Sequence, residues 1–292
     1  MRQTVPVRRT IAFLHAHPDD EALLTGGTIA RLAGQGHRVL IVTATDGGAG
    51  LVSPASAQDS DEVAVIRRAE LAHSARALGA VGVTHLGYAD SGLDGVGSSS
   101  TPGLAAAGGR VFAGVPVEEA ASRVAEILHE ERVACLVGYD AAGGYGHPDH
   151  LQVHRVARRA VDIAGTPLLL EASLPGEVFR TVGRAAQFGS RLVPAIPGAA
   201  IRSWTTAYRR RRELTHRIDV RPVLAAKHEA LMAHTSQASG GLRTIDLLLR
   251  LPGPLFEVVA GTEWFVGPAN PLSRWYRHPL QSLPPTPPGA PA

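Results

Sequence analysis

The sequence predicts an α/β fold: a Rossmann-like, mostly parallel sheet with helices on both faces, plus a smaller C-terminal α+β extension. Three observations predict it. Short apolar runs recur through the first 175 positions, at 10–15, 38–45, 83–88, 134–140 and 167–172. Their length and continuity are those of strands buried on both faces. Longer helical patterns lie between them, at 21–33, 61–78, 117–131 and 148–163. Strand and helix alternate, as a sheet wound with crossover helices requires.

The first strand, Thr10-Ile11-Ala12-Phe13-Leu14-His15, leads directly into the first helical pattern. The helix at 61–78 carries Asp61 and Glu62 in its first turn and Gly79 just past its end. That is the charge and capping asymmetry of a helix dipole. The helix at 148–163 opens on Pro148, a residue suited to a first turn. Segments 47–60 and 91–116 are rich in Gly, Ser and Ala and read as long loops. Each follows a strand, so each belongs on the side where parallel sheets bind ligands. Beyond residue 175 the pattern is weaker, with a helix at 220–237, a strand at 256–260 and a Pro-rich tail at 279–292 expected to be disordered.

Composition narrows the functional classes. With 45% hydrophobic and 19% charged residues over 292 positions, the chain can bury a large core and is not intrinsically disordered. The formal charge is +3, and Lys227 is the single lysine, so the basic charge is nearly all Arg. Only Arg209–Arg212 clusters, too little for a nucleic-acid footprint; the run reads as a solvated segment or as attraction for an anionic substrate. Cys135, alone in an apolar strand, reads as core and forms no disulfide or cysteine metal site. The apolar stretch 11–14 is shorter than a signal-peptide core, and no run approaches the roughly 20 residues of a membrane span. A cytoplasmic setting is expected, with no nucleic-acid partner.

Two histidine–carboxylate clusters carry the chemistry, each directly after a strand. The first is His15-Ala16-His17-Pro18-Asp19-Asp20-Glu21, and the second is Gly143-Gly144-Tyr145-Gly146-His147-Pro148-Asp149-His150. Both contain His-Pro-Asp and both lead into a helix. His17 and Asp20 are three apart, as are His147 and His150, so each pair projects to one side of a first turn. Imidazole and carboxylate are good zinc ligands, and a catalytic zinc keeps one position open for water or substrate. Such a metal lowers the pKa of its water to around 7. A neighbouring carboxylate can then take the proton, and a second histidine can stabilise an oxyanion or protonate a leaving amine.

His17-Pro18-Asp19-Asp20-Glu21 and Gly146-His147-Pro148-Asp149-His150 resemble the paired signatures of the PIG-L/LmbE-like zinc de-N-acetylases. The family includes the deacetylases of mycothiol and bacillithiol biosynthesis and of the glycosylphosphatidylinositol precursor. The resemblance extends over roughly 10–265 and is densest over 10–160. It implies His17, Asp20 and His150 as zinc ligands, with ferrous iron as the alternative metal. It implies Asp19 as the general base, His147 as oxyanion stabiliser or general acid, and Asp149 as tuning the histidine beside it. Tyr145 stands where family members carry a mobile tyrosine that helps polarise the amide carbonyl. Arg67 and Asp90 match positions that contact the sugar. Gly48 stands where the family often has Glu, a departure that bears on the identity of the sugar and not on the metal chemistry.

The implied activity is removal of an N-acetyl group from an N-acetylglucosamine-type conjugate, a small-molecule partner. The alternatives are a deacylase of a larger thiol-conjugate or antibiotic amide and a non-catalytic sugar-binding module; Asp19 argues against the last, because binding needs no base. Residues 1–175 are expected to form the Rossmann-like metal-site domain, with 176–278 completing the same catalytic domain and 279–292 as tail. His15 reads as packing, and His154 as a residue that could pair with His150 across one helical turn. The segment His234-Thr235-Ser236-Gln237 resembles a stretch at the family's active-site rim and has no role assigned from sequence.

Overall fold

Seven short strands assemble one sheet, and its central strands carry side chains that are buried on both faces. Ile11, Ala12, Phe13 and Leu14 are fully buried, as are Val39, Ile41, Val42 and Ala44 in the next strand. The computed structural model describes residues 8–48, 60–92, 110–177, 210–238, 244–270 and 273–284. The strands are β1 (Thr10–His15), β2 (Arg38–Thr45), β3 (Gly82–Tyr88), β4 (Val133–Tyr139), β5 (Leu169–Ser173), β6 (His216–Asp219) and β7 (Thr262–Val266), in the sheet order β3-β2-β1-β4-β5-β7-β6. The pairs among β1 to β5 are parallel, whereas β7 joins β5 and β6 antiparallel. The mostly parallel Rossmann-like sheet expected from the alternation is therefore present. From β1 the chain winds to β2 and β3 on one side and returns to β4 and β5 on the other. The crevice between the ends of β1 and β4 is the switch point at which such sheets bind ligands.

The helices around the sheet are α1 (Gly26–Gly34), α2 (Ser60–Ala77), α3 (Val117–Glu130), α4 (Pro148–Ala164), α5 (Leu224–Ala233), α6 (Thr244–Leu249) and α7 (Gly253–Ala260). In α3 the buried residues Ala120, Ala121, Val124, Ala125 and Leu128 form one stripe of helical period. They meet the matching stripe Val153, Val156, Ala157 and Ala160 of α4. The expected helix at 21–33 divides into a π-helical turn, Glu21–Thr25, followed by α1. Most of the two expected loops, residues 49–59 and 93–109, lies outside the described residues, as do 178–209.

The C-terminal part departs from expectation. The strand expected at 256–260 is the second half of helix α7, where Phe256 and Ala260 are buried four residues apart and Val258 and Val259 face solvent. Pro254 in the first turn starts that helix, and the β-branched pair misleads because it packs against nothing. The strand lies just beyond, at Thr262–Val266, and β6 is only four residues long with alternating burial. Both strands extend the same sheet. The tail expected from 279 opens with a packed 3-10 turn, Pro279–Ser282, because Leu280 and Leu283 find apolar partners on the core. Residues 285–292 lie outside the described residues.

Glu263 on β7 ties this part to the first. Its two oxygens accept the amides of Gly27 and Thr28 at 2.8 Å each, capping α1 from 235 residues away. Lys227 of α5 neutralises it at 2.6 Å, with both side chains almost wholly buried. Removing one partner of a buried pair strands the other charge. Lys227→Met should therefore cost about 3 kcal/mol in urea unfolding, and a loss near zero would show that the pair is not needed.

His216 on β6 bonds Thr215 Oγ1 at 2.8 Å and Ser282 Oγ at 2.9 Å. Burial pushes its pKa down to about 4. A histidine depressed in the folded state contributes stability above its unfolded value near 6.5, lost as pH falls from there through about 4. The loss is up to roughly 3 kcal/mol. Melting curves between pH 7 and 4 should fall more steeply for the wild type than for His216→Gln; parallel curves would contradict this.

Candidate metal centre

The first cluster follows β1 through a tightly pinned turn. Ala16 donates to the Tyr139 hydroxyl at 3.2 Å and accepts from the Thr45 amide and hydroxyl at 2.9 Å each. His17 N–H donates to Asp20 Oδ2 at 3.0 Å, closing the turn on its own carboxylate. Asp19 takes a φ of +125°, in the region that L-residues rarely occupy. Two side chains hold it there. Glu21 Oε2 accepts the Asp19 amide at 3.0 Å, and Arg67 of α2 donates to Asp19 Oδ2 at 3.0 Å. The same guanidinium also grips the carbonyls of Gly47 and Pro18. A Cβ on Gly47 would stand 2.3 Å from Arg67 Nη1, so glycine is needed for this approach.

The second cluster follows β4 through Gly143–Gly146, a turn in which Gly143, Gly144 and Gly146 all have positive φ. Asp140 organises it by accepting the amides of Ala142 at 2.9 Å and Gly144 at 3.4 Å. Tyr145 belongs to this turn, two residues before His147. His147 then caps α4, its Nδ1 accepting the Asp149 amide at 3.2 Å. That bond leaves the proton of the neutral ring on Nε2.

The two turns converge. Asp20 Oδ2 lies 3.4 Å from His17 Nδ1 and 3.3 Å from His150 Nε2. Donors about 2.0–2.1 Å from a tetrahedral cation stand roughly 3.3–3.4 Å from one another, so these contacts match two edges of such a shell. His17, His147 and His150 also bring ligand atoms within 4.8 Å of one another, as do His17, Asp90, His147 and Asp149. The donor set, imidazole and carboxylate in a buried turn, suits a divalent metal. On the far side of the His17 ring, Nε2 meets Asp149 Oδ2 at 3.1 Å and Asp90 Oδ1 at 3.3 Å. A metal-ligating imidazole ordinarily donates its second nitrogen to such a carboxylate.

Charges follow the same division. Burial raises Asp20, but the neighbouring His150 and His17 outweigh it and hold the carboxyl well below the ordinary range. Burial likewise opposes protonation of His17, yet Asp90, Asp149 and Asp20 raise it well above its usual value. Asp19 is pushed up to about 6 by burial, with Arg67 acting against the shift. His147 is pushed down to about 4 by burial and by the nearby His17 and His150.

Asp149, expected to tune the histidine beside it, has its carboxylate 4.0 Å from His147 Nδ1 and 3.1 Å from His17 Nε2, and Ser91 donates to it by amide and hydroxyl. Arg67 and Asp90 are buried and engage Asp19 and His17. His154 bonds the Tyr139 carbonyl at 3.0 Å and stands 3.2 Å from Glu171 Oε1. His15 packs as expected, between Thr25 and Tyr139 at 3.0 Å each. Arg211 stacks over Trp264 and Trp275, and Arg209 lies outside the described residues. Sequence reasoning missed Ser74 and Ser91, and it noted His234 without assigning it a role. Ser91 carried a signal, since it directly follows Asp90 on the ligand side.

Residues 12–161 match the family model described as PIG-L, GlcNAc-PI de-N-acetylase. The chain belongs to the PIG-L family. A relative in Streptomyces griseus, 1D-myo-inositol 2-acetamido-2-deoxy-alpha-D-glucopyranoside deacetylase, is 36% identical over 252 residues, covering 80% of this chain and 76% of its own. The deacetylase of that name in Nocardiopsis dassonvillei is 38% identical over 247 residues, covering 77% and 83%. Among solved structures, N,N'-diacetylchitobiose deacetylase from Pyrococcus horikoshii matches with a TM-score of 0.57 at 21% identity, over 90% of this chain and 84% of that one. The 4-carboxy-2-hydroxymuconate hydratase GalB from Pseudomonas putida matches at 0.55 and 15% identity, over 91% and 98%. At such identities the likeness is one of fold, and the hydratase illustrates that one fold carries several chemistries. This PIG-L chain is a hydrolase of a deacetylase family. Among the described residues, no helix is long and apolar enough to cross a membrane.

His150→Ala removes one edge of the shell formed with Asp20. Elemental analysis of the purified variant should find metal reduced at least about tenfold relative to wild type, the scale expected for losing one ligand. Equal metal content in the two proteins would exclude His150 as a ligand.

Proposed function

We propose that this protein is a zinc-dependent N-deacetylase that releases acetate from an N-acetylglucosaminyl conjugate. One observation carries the reading: Asp20 bridges His17 and His150 at 3.3–3.4 Å, with the carboxylate of Asp19 braced beside them. Relatives that deacetylate an inositol glucosaminide support the substrate class.

His17, Asp20 and His150 would hold the metal. A bound divalent cation supplies Lewis acidity, which polarises a carbonyl and brings the pKa of water towards 7. Asp19 takes the proton of the attacking water as its oxygen bonds to the amide carbon. His147, neutral with its proton on Nε2, donates to the carbonyl oxygen as charge develops there. Tyr145, in the same turn, is positioned in sequence to assist at that oxygen. The C–N bond then breaks, the proton passes to the departing amine, and acetate remains. Asp149 and Asp90 hold the His17 ring through Nε2, and Arg67 aims Asp19; we assign these three to bracing rather than to direct sugar contact.

Amine release from matched N-acetyl and long-acyl glucosaminides, followed with a fluorogenic amine reagent, tests the reading. Preference for the acetyl substrates in kcat/KM is the expected result, and preference for long acyl chains would favour the larger-amide alternative. Asp19→Asn should retain the metal while kcat falls by roughly 10²–10⁴, the usual contribution of a general base. Wild-type turnover in that variant would remove Asp19 from the mechanism.

A further inference from the structure

The base assigned to Asp19 depends on a backbone conformation that aspartate disfavours. A φ of +125° costs on the order of 1–3 kcal/mol and persists only where its surroundings enforce it. Of the two contacts that hold it, the one on the backbone is the bond from Asp19 N–H to Glu21 Oε2 at 3.0 Å. Glu21 is itself fully buried, and a buried carboxylate needs donors of its own. They come from two distant places. His234 Nε2 lies 2.7 Å from Glu21 Oε1, and Ser74 of α2 donates to the same oxygen. His234 and Ser74 are both fully buried.

The segment that supplies His234 is clamped in turn. Glu70 of α2 accepts the Ser236 amide and hydroxyl at 2.7 Å each and the Thr235 hydroxyl at 2.9 Å. Arg67, Glu70 and Ser74 recur at helical spacing on one face of α2. That face therefore grips the Asp19 carboxylate, the His234 segment and Glu21 together.

We infer that His234 is a positioning residue for Asp19. Acting through Glu21, it fixes the turn that aims the base, while Arg67 fixes the carboxylate itself. The inference rests on the deacetylase reading above. It makes the C-terminal segment part of the active site through Glu21.

Three variants of the full-length, metal-loaded protein test it against an N-acetylglucosaminide. His234→Leu should lower kcat by about 100-fold, the cost of misplacing a reacting group by roughly an ångström. KM should stay within about twofold and metal content unchanged, because ligands and substrate contacts remain. His234→Gln, whose amide can still donate to Glu21, should recover most of the rate. Ser74→Ala, which removes the other donor, should lower kcat about fivefold with KM unchanged. A folded, metal-loaded His234→Leu with wild-type kcat overturns the inference. So does a Gln variant no faster than Leu, or a rate loss matched by metal loss. Should His234→Leu fail to fold, an unchanged kcat in Ser74→Ala overturns it. An inactive wild type overturns the deacetylase reading and the inference with it; an active wild type with unaffected variants overturns the inference alone.

Discussion

The pairing of β1 with β4 is the constraint on which the site depends. The backbone ladder sets Ile11 beside Cys135, Ala12 beside Leu136 and Phe13 beside Val137. A His-Pro-Asp segment follows each strand, two residues after β1 and beyond the Gly143–Gly146 turn after β4, so this register delivers residues 130 positions apart to one crevice. A shift of one residue would turn every side chain on β1 to the opposite face. His15 would then exchange places with its neighbours, and the bonds to Thr25 and Tyr139 that seat the turn would be lost. The buried aliphatic residues of both strands prevent such a slip, so core packing and site geometry have the same origin.

Crowding this many titratable groups out of water demands compensation. The solution is pairwise: Arg67 with Asp19, Asp20 with two imidazoles, His234 with Glu21, Lys227 with Glu263. Charged partners of this kind are costly to separate and contribute little net stability when intact. Their value here is positional, since each pair fixes one turn or helix end around the crevice. Three of these groups, Lys227, His234 and Glu263, come from more than 200 residues beyond β1.

Much of the core arrangement was legible in the sequence. Five apolar runs and four helical patterns between 10 and 172 match the observed elements, because strands buried on both faces leave an unmistakable record. The two histidine clusters were legible too, since each pairs ligand chemistry with a Pro-led helix start. What escaped reading depends on tertiary contact. Strand β6 is four residues long with three of them polar, and β7 hides behind the helical Phe256–Val259 run, whose β-branched residues face solvent. Arg67, Glu70 and Ser74 on α2 are polar and carry no sequence signal of burial, yet all three are buried against partners far away in the chain. The contact between Asp149 and His17 could not be read from neighbours in sequence, since the two lie 132 residues apart.

Metal titration of the stripped protein reads the central feature most directly. Amine release from an N-acetylglucosaminide should be absent without metal, rise in proportion to added Zn²⁺ and break at one equivalent per chain. Full activity in the metal-free protein, or a break only after several equivalents, would contradict a single centre built from His17, Asp20 and His150.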